Sequence, residues 1–506
     1  MVAAGILFTR ILGFVRERVF AHYLGNGPAA DAFRAALKIP NVLRNLLGEG
    51  TLSASFIPVY TRLLERGDDQ GARALAGAVL GLLTALSAAA ALVGIALAPI
   101  ITDVVAIGFE GPTRELTIDL VRILFPMTGL MVVSGWCLGI LNSHRRFFLP
   151  YAAPAIWNVA GIVALWLAAF WDRRPASLAT ALAWGTLAGS LLQVLVQLPA
   201  CARLVRGLPF NVSARVAGVP EVWRAWLPVV LGAGVAQVAS VIDTQLGSLA
   251  PGGVAALGYA QLLQSLPISL FGVAVAASAL PELSREAERS DGLRLLRDRL
   301  GAGLARIAFY VAPIAVGYVL LGAPLVALLF ETGRFGAEDT AVVAAILAAY
   351  GVGLLAQATA KLLASGYYGL RDTRTPVRIA IASLALGTAL GWAFLTRTPF
   401  GVAGIAFGSA LGAWAYALAM LGGLDRRLGV PVLDSGERTV LWRVGIATTA
   451  AALAGIAALR LTDGASAVVR AVGAWGALGV VYLGVASALG VAEARRVVAT
   501  FRSRMG

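Results

Sequence analysis

The chain of 506 residues is poor in the side chains from which most catalytic and metal sites are built. It has two cysteines, Cys137 and Cys201, and two histidines, His22 and His144. Both cysteines adjoin apolar runs, so neither a disulfide framework nor a thiolate metal site is expected. No Gly-rich phosphate loop ending in Lys-Ser or Lys-Thr occurs, so we expect no ATP hydrolysis by this chain. We therefore predict neither an enzyme nor a resident metal or cofactor.

Charged residues are also scarce, at 13% of the chain, against about 25% in soluble proteins. Hydrophobic residues make up 59%, and the mean hydropathy is +0.81. Apolar runs of about 20 residues recur, each long enough to cross a bilayer, whereas barrel strands would alternate over about ten residues. The composition predicts an all-α polytopic membrane protein.

The net charge of +14 does not indicate a nucleic-acid partner. The arginines lie mostly in short loops between apolar runs, on one side of the predicted membrane, as the positive-inside rule expects. This asymmetry predicts a multi-pass protein with both termini in the cytoplasm. Arg10, Arg16 and Arg18 would interrupt the apolar core of a signal peptide, so we expect no cleavage there.

About fourteen spanning helices are predicted from the apolar runs and loop charges. They cover residues 3–24, 30–63, 72–99, 114–142, 150–171, 177–203, 222–249, 254–283, 299–330, 339–367, 377–396, 402–424, 440–460 and 467–491. The helices at 30–63 and 254–283 are each interrupted by Gly and Pro.

An internal echo links these two interrupted helices. Ile39-Pro40 and the proline-containing run 56–68 recur as Leu266-Pro267 and the run 279–291. The echo predicts a parallel repeat of two six-helix lobes, residues 1–206 and 207–430, with residues 431–506 forming helices 13 and 14 and a tail. Membrane transporters built from two repeats of this kind bind substrate near the membrane midplane, at the interface between the repeats and beside broken helices.

The first hairpin, residues 5–64, carries more cations than acids although it is apolar enough to span. A charge inside a bilayer costs several kcal/mol unless it faces protein or water, which makes it a candidate functional residue. On helix 1, Arg10, Gly13 and Arg16 step round about a third of the circumference, and Gly13 leaves space between the guanidinium groups. Arg44 lies near the middle of helix 2. Three such cations suit an anion with several oxygens, which Arg binds bidentately.

A structural alternative stays open for each of these arginines. Arg16 with Glu17, or Arg44 with Glu49, can form ion pairs that only hold the hairpin together. Glu49 lies between two glycines, where a helix can unwind, and is also a candidate switchable partner for an arginine.

Asp31, Arg34 and Lys38 share one face of helix 2 at spacings of three and four. Asp31 lies near the outer end, where it is either an acid in the first turn of its helix or a gating residue.

In the second lobe, Asp243 is a lone carboxylate in helix 7 that can bind a proton or Na⁺. Helix 11 offers Ser383 and Thr388 but no acid, so a Na⁺ site would have few oxygen ligands. Lys361 in helix 10 either snorkels to the interface or lines the cavity. Coupling to an ion gradient or to the membrane potential is the expected source of energy.

Five segments together resemble one known family. They are TRILGFVRE (9–17), DAFRAALKIPNVLRNLLGEGTLSASFIPV (31–59), LNSHRRFFLP (141–150), GVAVAASALPELS (272–284) and GYYGLRDTRTPV (366–377). The chain resembles the MurJ/MviN family of bacterial lipid II flippases, within the multidrug/oligosaccharidyl-lipid/polysaccharide exporter superfamily.

The resemblance implies fourteen helices, a V-shaped pair of lobes, a central cationic cavity, and a groove along helices 13 and 14 for the polyprenyl tail. By motif position it places functional arginines at Arg10, Arg16 and Arg44, the outer acid at Asp31 and the helix 2 glutamate at Glu49. Pro40 and Asn41 fall in the same motif as supporting residues.

One position departs from the family. Helix 8 reads Tyr259-Ala260-Gln261-Leu262, and Leu262 stands where the family has an arginine. The second lobe then lacks a cation for a diphosphate, unless Lys361 replaces it.

The resemblance implies a flippase of the bacterial inner membrane that moves lipid II, the undecaprenyl-diphosphate-linked peptidoglycan precursor, to the outer leaflet by alternating access for cell-wall synthesis. The alternatives are an exporter of another lipid-linked oligosaccharide and a non-transporting scaffold that recruits cell-wall synthesis proteins. Drug efflux ranks low, because a cationic drug would be repelled.

Overall fold

Helices make up nearly all of the computed structural model, which describes residues 2–205, 207, 209–273, 275–276 and 292–505. They are α1 (Val2–Leu24), α2 (Pro28–Leu47), α3 (Glu49–Glu65), α4 (Asp69–Ala96), α5 (Ala98–Val105), α6 (Gly111–Ser143), α7 (Phe148–Ala152), α8 (Pro154–Trp171), α9 (Pro175–Leu204), α10 (Val219–Gly247), α11 (Gly253–Pro267), α12 (Gly292–Phe330), α13 (Ala337–Gly369), α14 (Arg374–Arg397), α15 (Ala403–Leu428), α16 (Ser435–Leu461), α17 (Ala467–Ala488) and α18 (Ala492–Met505). A π-helical segment, Ile268–Gly272, follows α11.

Among the described residues, 11 helices are long and apolar enough to cross a membrane, or up to 12 if the bent α10 is one span. The first two helices fall short of that composition because they carry the charges noted above. The 23 residues of α1 still span about 34 Å at 1.5 Å each, enough for a hydrocarbon core of about 30 Å. Each predicted span coincides with one or two of the observed helices, except that residues 277–283 of the predicted span 254–283 lie outside the described residues.

The predicted interruption of helix 2 is confirmed at Gly48, between α2 and α3. Gly48 has φ −105° and ψ −133°, and its N–H donates to the carbonyl oxygen of Arg44 at 2.8 Å. A Cβ at this position would collide with that same carbonyl oxygen. Any other residue at position 48 would therefore displace the backbone of Arg44.

The interruption of helix 8 is confirmed at Pro267, where α11 ends and the chain continues as the π-helical segment. Such short π-segments mark local distortions of a helix and are frequent at functional sites. The second copy of the proline repeat, residues 279–291, lies outside the described residues.

Chain contacts divide the protein into two compact units. The first comprises Met1–Ala255 and Thr332–Gly336. Its core lies among α3, α4, α6 and α9, where Phe56, Tyr60 and Trp136 are almost fully buried. The Trp136 indole N–H donates to the carbonyl oxygen of Ala76 at 3.1 Å, so this large side chain is buried with its polar atom satisfied.

The first unit includes α10, and polar contacts hold that helix to the unit near both of its ends. Arg62 of α3 pairs with Glu221 at 2.8 Å, and the Gln245 amide donates to the carbonyl oxygen of Val104 at 2.6 Å. The predicted lobe boundaries at residues 206 and 430 rest on the sequence repeat and stay a prediction.

The second unit comprises Ala256–Glu331 and Ala337–Gly506. Part of its core joins α12 to α16 and α17, and the Tyr482 hydroxyl donates to the carbonyl oxygen of Phe309 at 2.6 Å. Small residues bring α14 and α15 together, since a Cβ on Gly408 would collide with Gly391. Close approach through glycine is a common way for helices to associate in lipid.

Candidate functional site

A cavity of about 280 Å³ lies in the first unit among α1, α2, α8 and α9. Its polar lining consists of Arg16, Glu17, Arg34, Asn41, Arg44, Trp157 and Thr186. Five of these seven residues belong to the hairpin that sequence reasoning selected. Apolar side chains, among them Phe20 and Phe33, complete the wall.

Glu17 bridges two arginines inside this cavity. One carboxylate oxygen accepts from Arg16 and the other from Arg34, each at 2.6 Å. Glu17 is only 8% exposed, so the acid needs both partners to offset its desolvation. The structural alternative for Arg16 is thus present, and it extends to Arg34 on the next helix.

Aromatic rings fix the direction of the two guanidinium groups. The Cζ atom of Arg16 lies 4.3 Å from the centroid of a Trp157 ring, and that of Arg34 lies 4.7 Å from the ring centroid of Phe20. Cations at these distances are attracted by the ring faces, more strongly where water is excluded. The arginines are therefore oriented before any ligand arrives.

Outside the arginine side chains, two polar atoms of the cavity wall lack hydrogen-bond partners within the described part of the chain. They are the carbonyl oxygen of the Asn41 side chain and the indole N–H of Trp157, both buried. Buried polar groups are nearly always hydrogen-bonded in native proteins. An acceptor and a donor are thus available to a ligand beside the arginines.

The cavity carries an excess of positive charge. Arg16, Arg34 and Arg44 contribute three cations, and Glu17 is the one acid among the described lining residues. Each guanidinium has five N–H donors in a planar fork, and Glu17 engages only part of those on Arg16 and Arg34. The arrangement suits an anion with two charges and several oxygens.

Other predicted residues of the hairpin lie outside the lining. The Arg10 side chain is exposed on α1, so the cavity joins Arg16 and Arg44 with Arg34 rather than with Arg10. A Cβ on Gly13 would lie 4.0 Å from the amide nitrogen of Asn158, which places Gly13 toward α8. Pro40 is buried within α2. Only the backbone of Glu49 is described, at the start of α3.

Asp31 accepts two backbone hydrogen bonds from the turn that leads into α11. The Gly252 N–H and the Ala255 N–H each donate to its carboxylate at 2.7 Å, and Asp31 is 2% exposed. The carboxylate caps the start of a helix other than its own, where the helix dipole favours an anion. Asp31 therefore ties α2 to residues 252–255.

We expect Asp31→Ala to loosen this turn. Each amide left buried without an acceptor costs about 1–3 kcal/mol, so hydrogen exchange at Gly252 and Ala255 should accelerate about tenfold or more. Hydrogen-exchange mass spectrometry of peptides covering 249–258 measures the change, with Asp69→Ala, at the exposed first residue of α4, as control. Unchanged exchange in Asp31→Ala would show that the two hydrogen bonds contribute little.

Lys38 turns away from the cavity toward α10. Its ammonium donates to the Ser240 hydroxyl at 2.8 Å. The ammonium also lies close enough to the Asp243 carboxylate for the two charges to attract each other. The Asn45 amide donates to the Gln237 side chain at 3.4 Å on the same pair of helices. Asp243, the predicted ion-binding carboxylate, thus faces a cation of the chain itself.

Sequence reasoning missed the contacts of the loop 332–336. The His22 ring nitrogen Nδ1 lies 2.9 Å from the Thr332 hydroxyl, and the Arg334 N–H donates to the carbonyl oxygen of His22 at 2.9 Å. The Arg334 guanidinium donates to the carbonyl oxygen of Arg173 at 3.0 Å. No local motif marks this loop, because its partners lie more than a hundred residues away.

In the second unit, two pairs of neutral side chains lie near Leu262, the position at which the family has an arginine. The Gln261 amide donates to the Tyr350 hydroxyl at 3.1 Å, and the Gln264 amide donates to the Gln357 side chain at 2.9 Å. Lys361 is exposed on α13. Within the described ranges, no group of three or more His, Cys, Asp or Glu side chains could hold a metal ion.

A family model described as "Lipid II flippase MurJ" matches residues 20–473. This chain belongs to the MurJ family. Among relatives, the lipid II flippase MurJ of Burkholderia cenocepacia is 33% identical over 433 residues, which cover 84% of this chain and 83% of that protein. A probable lipid II flippase MurJ of Rhizobium meliloti is 31% identical over 448 residues, which cover 87% of this chain and 83% of the relative.

Solved structures show the MurJ fold directly. "Lipid II flippase MurJ, inward closed conformation" matches with a TM-score of 0.77 at 22% identity, covering 96% of this chain and 98% of that one. An inward-facing MATE-family multidrug resistance transporter of the MOP superfamily matches with a TM-score of 0.66 at 17% identity, covering 83% and 94%. The predicted all-α polytopic fold is confirmed.

Proposed function

We propose that this MurJ-family chain flips lipid II from the cytoplasmic to the outer leaflet of the bacterial inner membrane, for cell-wall synthesis. The chain acts as a transporter and not as an enzyme. Family membership supports the cargo, and the cationic cavity of Arg16, Arg34 and Arg44 is the observation that carries the mechanism. A diphosphate diester bears one negative charge on each phosphate, which balances the excess charge of the cavity.

In this proposal the diphosphate binds between α1 and α2. The guanidinium groups of Arg16, Arg34 and Arg44 bind the phosphate oxygens. Arg44 takes part in none of the ion pairs observed among the described residues. The indole N–H of Trp157 and the Asn41 carbonyl oxygen then meet the hydroxyl and amide groups of the sugar or peptide. Each charge-assisted hydrogen bond is worth about 1.5–3 kcal/mol.

The polyprenyl tail stays in lipid, along the groove that the resemblance places at helices 13 and 14, here α16 and α17. Rocking of the two lobes by alternating access then exposes the head group outside. Both termini stay in the cytoplasm. Binding of cell-wall synthesis proteins is compatible with this function and rests on the family alone.

We further propose that Lys38, rather than a soluble cation, balances Asp243, and that the membrane potential supplies the drive. Moving one charge across 100 mV is worth about 2.3 kcal/mol. The Lys38 hydrogen bond to Ser240 supports this placement of the ammonium. A Na⁺ ion at Asp243 would have to displace it.

Flipping by the native chain is therefore expected to keep its rate when K⁺ replaces Na⁺. Lys38→Met removes the ammonium, and the activity of this variant should become dependent on Na⁺ or on pH, because the Asp243 carboxylate then loses the nearby charge of Lys38. Transport in vesicles under an imposed potential measures both chains. A native rate that falls severalfold without Na⁺ would exclude Lys38 as the permanent partner.

Complementation tests the proposed function. A bacterial strain depleted of its own lipid II flippase should grow when this chain is expressed. Lysis despite normal amounts of the chain in the membrane would contradict the proposal.

An exporter of another lipid-linked oligosaccharide is the second candidate, and Leu262 is the observation that favours it. A diphosphate-linked glycan with a different sugar would use the same three arginines. Growth of the depleted strain separates the two, because only lipid II transport restores the cell wall. The charged cavity does not support the third alternative, a scaffold that does not transport, because such a scaffold would not need a cavity that binds an anion.

A further inference from the structure

A second cavity, of about 510 Å³, lies in the second unit where α13, α14 and α15 meet. Its lining includes Tyr367, Ile379, Leu418, Gly422, Arg426 and Arg427. The cavity lies near the turn that joins α13 to α14 and near the last turn of α15, hence at a membrane interface. The transport proposal makes no use of it.

One of its two arginines is already engaged. Arg427 pairs with Asp372 at 2.6 Å, donates to the Thr375 hydroxyl at 3.1 Å, and lies 5.0 Å from the ring centroid of Tyr367. Hydrogen bonds from Thr375 hold the pKa of the Asp372 carboxyl well below its usual range. Asp372 is therefore ionised and neutralises Arg427.

The other arginine, Arg426, is an uncompensated cation. Its side chain is exposed, and it has no hydrogen-bond or ion-pair partner within the part of the chain that the structure describes. The neighbouring acid, Asp425, accepts the backbone N–H of Val432 at 2.7 Å. The charge of Arg426 is thus available to an anion in the cavity.

The opposite end of the cavity is apolar and faces lipid. Leu418 is eight residues before Arg426 on α15, about 12 Å along the axis, and is 61% exposed. Between them, no atom would lie within 4 Å of a Cβ on Gly422. A charged end at the interface and an apolar end toward the hydrocarbon match the two halves of a phospholipid.

We propose that this cavity holds an anionic phospholipid, with its phosphate on Arg426 and an acyl chain along Ile379 and Leu418. Basic pockets between transmembrane helices on the cytoplasmic side bind anionic head groups in this way. The site is distinct from the cavity of the first unit, and its occupancy does not depend on flipping.

Retention of lipid by the purified chain tests the proposal. The native chain, Arg426→Gln and Gly422→Leu are taken from bilayers with equal phosphatidylglycerol and phosphatidylcholine, and bound lipids are counted by mass spectrometry. Arg426→Gln should retain about fivefold less phosphatidylglycerol, the factor for about 1 kcal/mol from one arginine near an anionic surface. Gly422→Leu fills the cavity and should lose both lipids from it. Arg438→Gln, an exposed arginine of α16, is the matched control and should behave as the native chain.

Several results would overturn the proposal. Equal phosphatidylglycerol retention by the native chain and Arg426→Gln would exclude Arg426 as the group that binds the lipid phosphate. Equal retention of both lipids by the native chain excludes selection by charge. Displacement by millimolar inorganic phosphate assigns the site to free phosphate, and displacement by lipid II assigns it to the transported substrate. Vesicle flipping is assayed separately, so failure of the transport proposal leaves this test intact.

Discussion

Arg44→Ala and Arg16→Ala are each expected to abolish complementation of a flippase-depleted strain. Both residues line the cavity of the first unit, and each contributes hydrogen bonds to the diphosphate worth about 1.5–3 kcal/mol apiece. Loss of two such bonds lowers affinity by about a hundredfold or more. Arg44→Ala is the cleaner change, because Arg44 belongs to none of the ion pairs observed among the described residues, whereas Arg16 pairs with Glu17.

Two variants control this result. Arg18→Ala removes an exposed arginine of α1 that is outside the cavity lining, and it should support growth. Arg44→Lys keeps the charge but loses the bidentate fork, so partial growth is expected. Immunoblots of the membrane fraction confirm equal amounts of each chain. Normal growth with both alanine variants would disprove the proposal that the cationic cavity binds the transported diphosphate.

Glu17→Gln is expected to destabilise the protein as well as to impair transport. The acid is buried and accepts from both Arg16 and Arg34 at 2.6 Å. Removing one partner of a buried charge cluster costs about 3–5 kcal/mol, because the remaining charges stay desolvated without compensation. The amount of folded chain in the membrane should fall, and its thermal unfolding in detergent should shift to lower temperature.

The double variant Glu17→Gln/Arg34→Gln separates stability from function. It restores the net charge of the native cavity, so its unfolding temperature should recover most of the loss. Transport should stay impaired, because one of the three arginines is missing. A double variant no more stable than Glu17→Gln would show that the ion pair between Arg34 and Glu17 is not the source of the destabilisation.

The positions of the spans followed from apolar run lengths, which depend on bilayer thickness and little on packing. The two helix interruptions were also predictable, because Gly48 and Pro267 act through the local backbone. The charge of the hairpin also identified α1 and α2 as the candidate site. Placing a charge inside a bilayer costs free energy, and this cost can be recognised from one helix without knowing its neighbours.

Contacts between helices were not predictable from one helix at a time. Periodicity groups Asp31, Arg34 and Lys38 on one face of α2, yet they contact residues 252–255, Glu17 and Ser240 respectively. Trp157 carries no distinguishing pattern in a chain with 11 tryptophans. Which arginine joins Arg16 in the cavity depends on the rotation of α1 against α2. This rotation is set by the packing of α1 on α8 and of α2 on α6 and α9.

Protein-dependent flipping of labelled lipid II in reconstituted vesicles tests the central claim most directly. The native chain and Arg18→Ala should move lipid II across the bilayer at similar rates, and Arg44→Ala should match protein-free vesicles. Equal rates for Arg44→Ala and the native chain, or no flipping by the native chain under an imposed potential, would contradict the account.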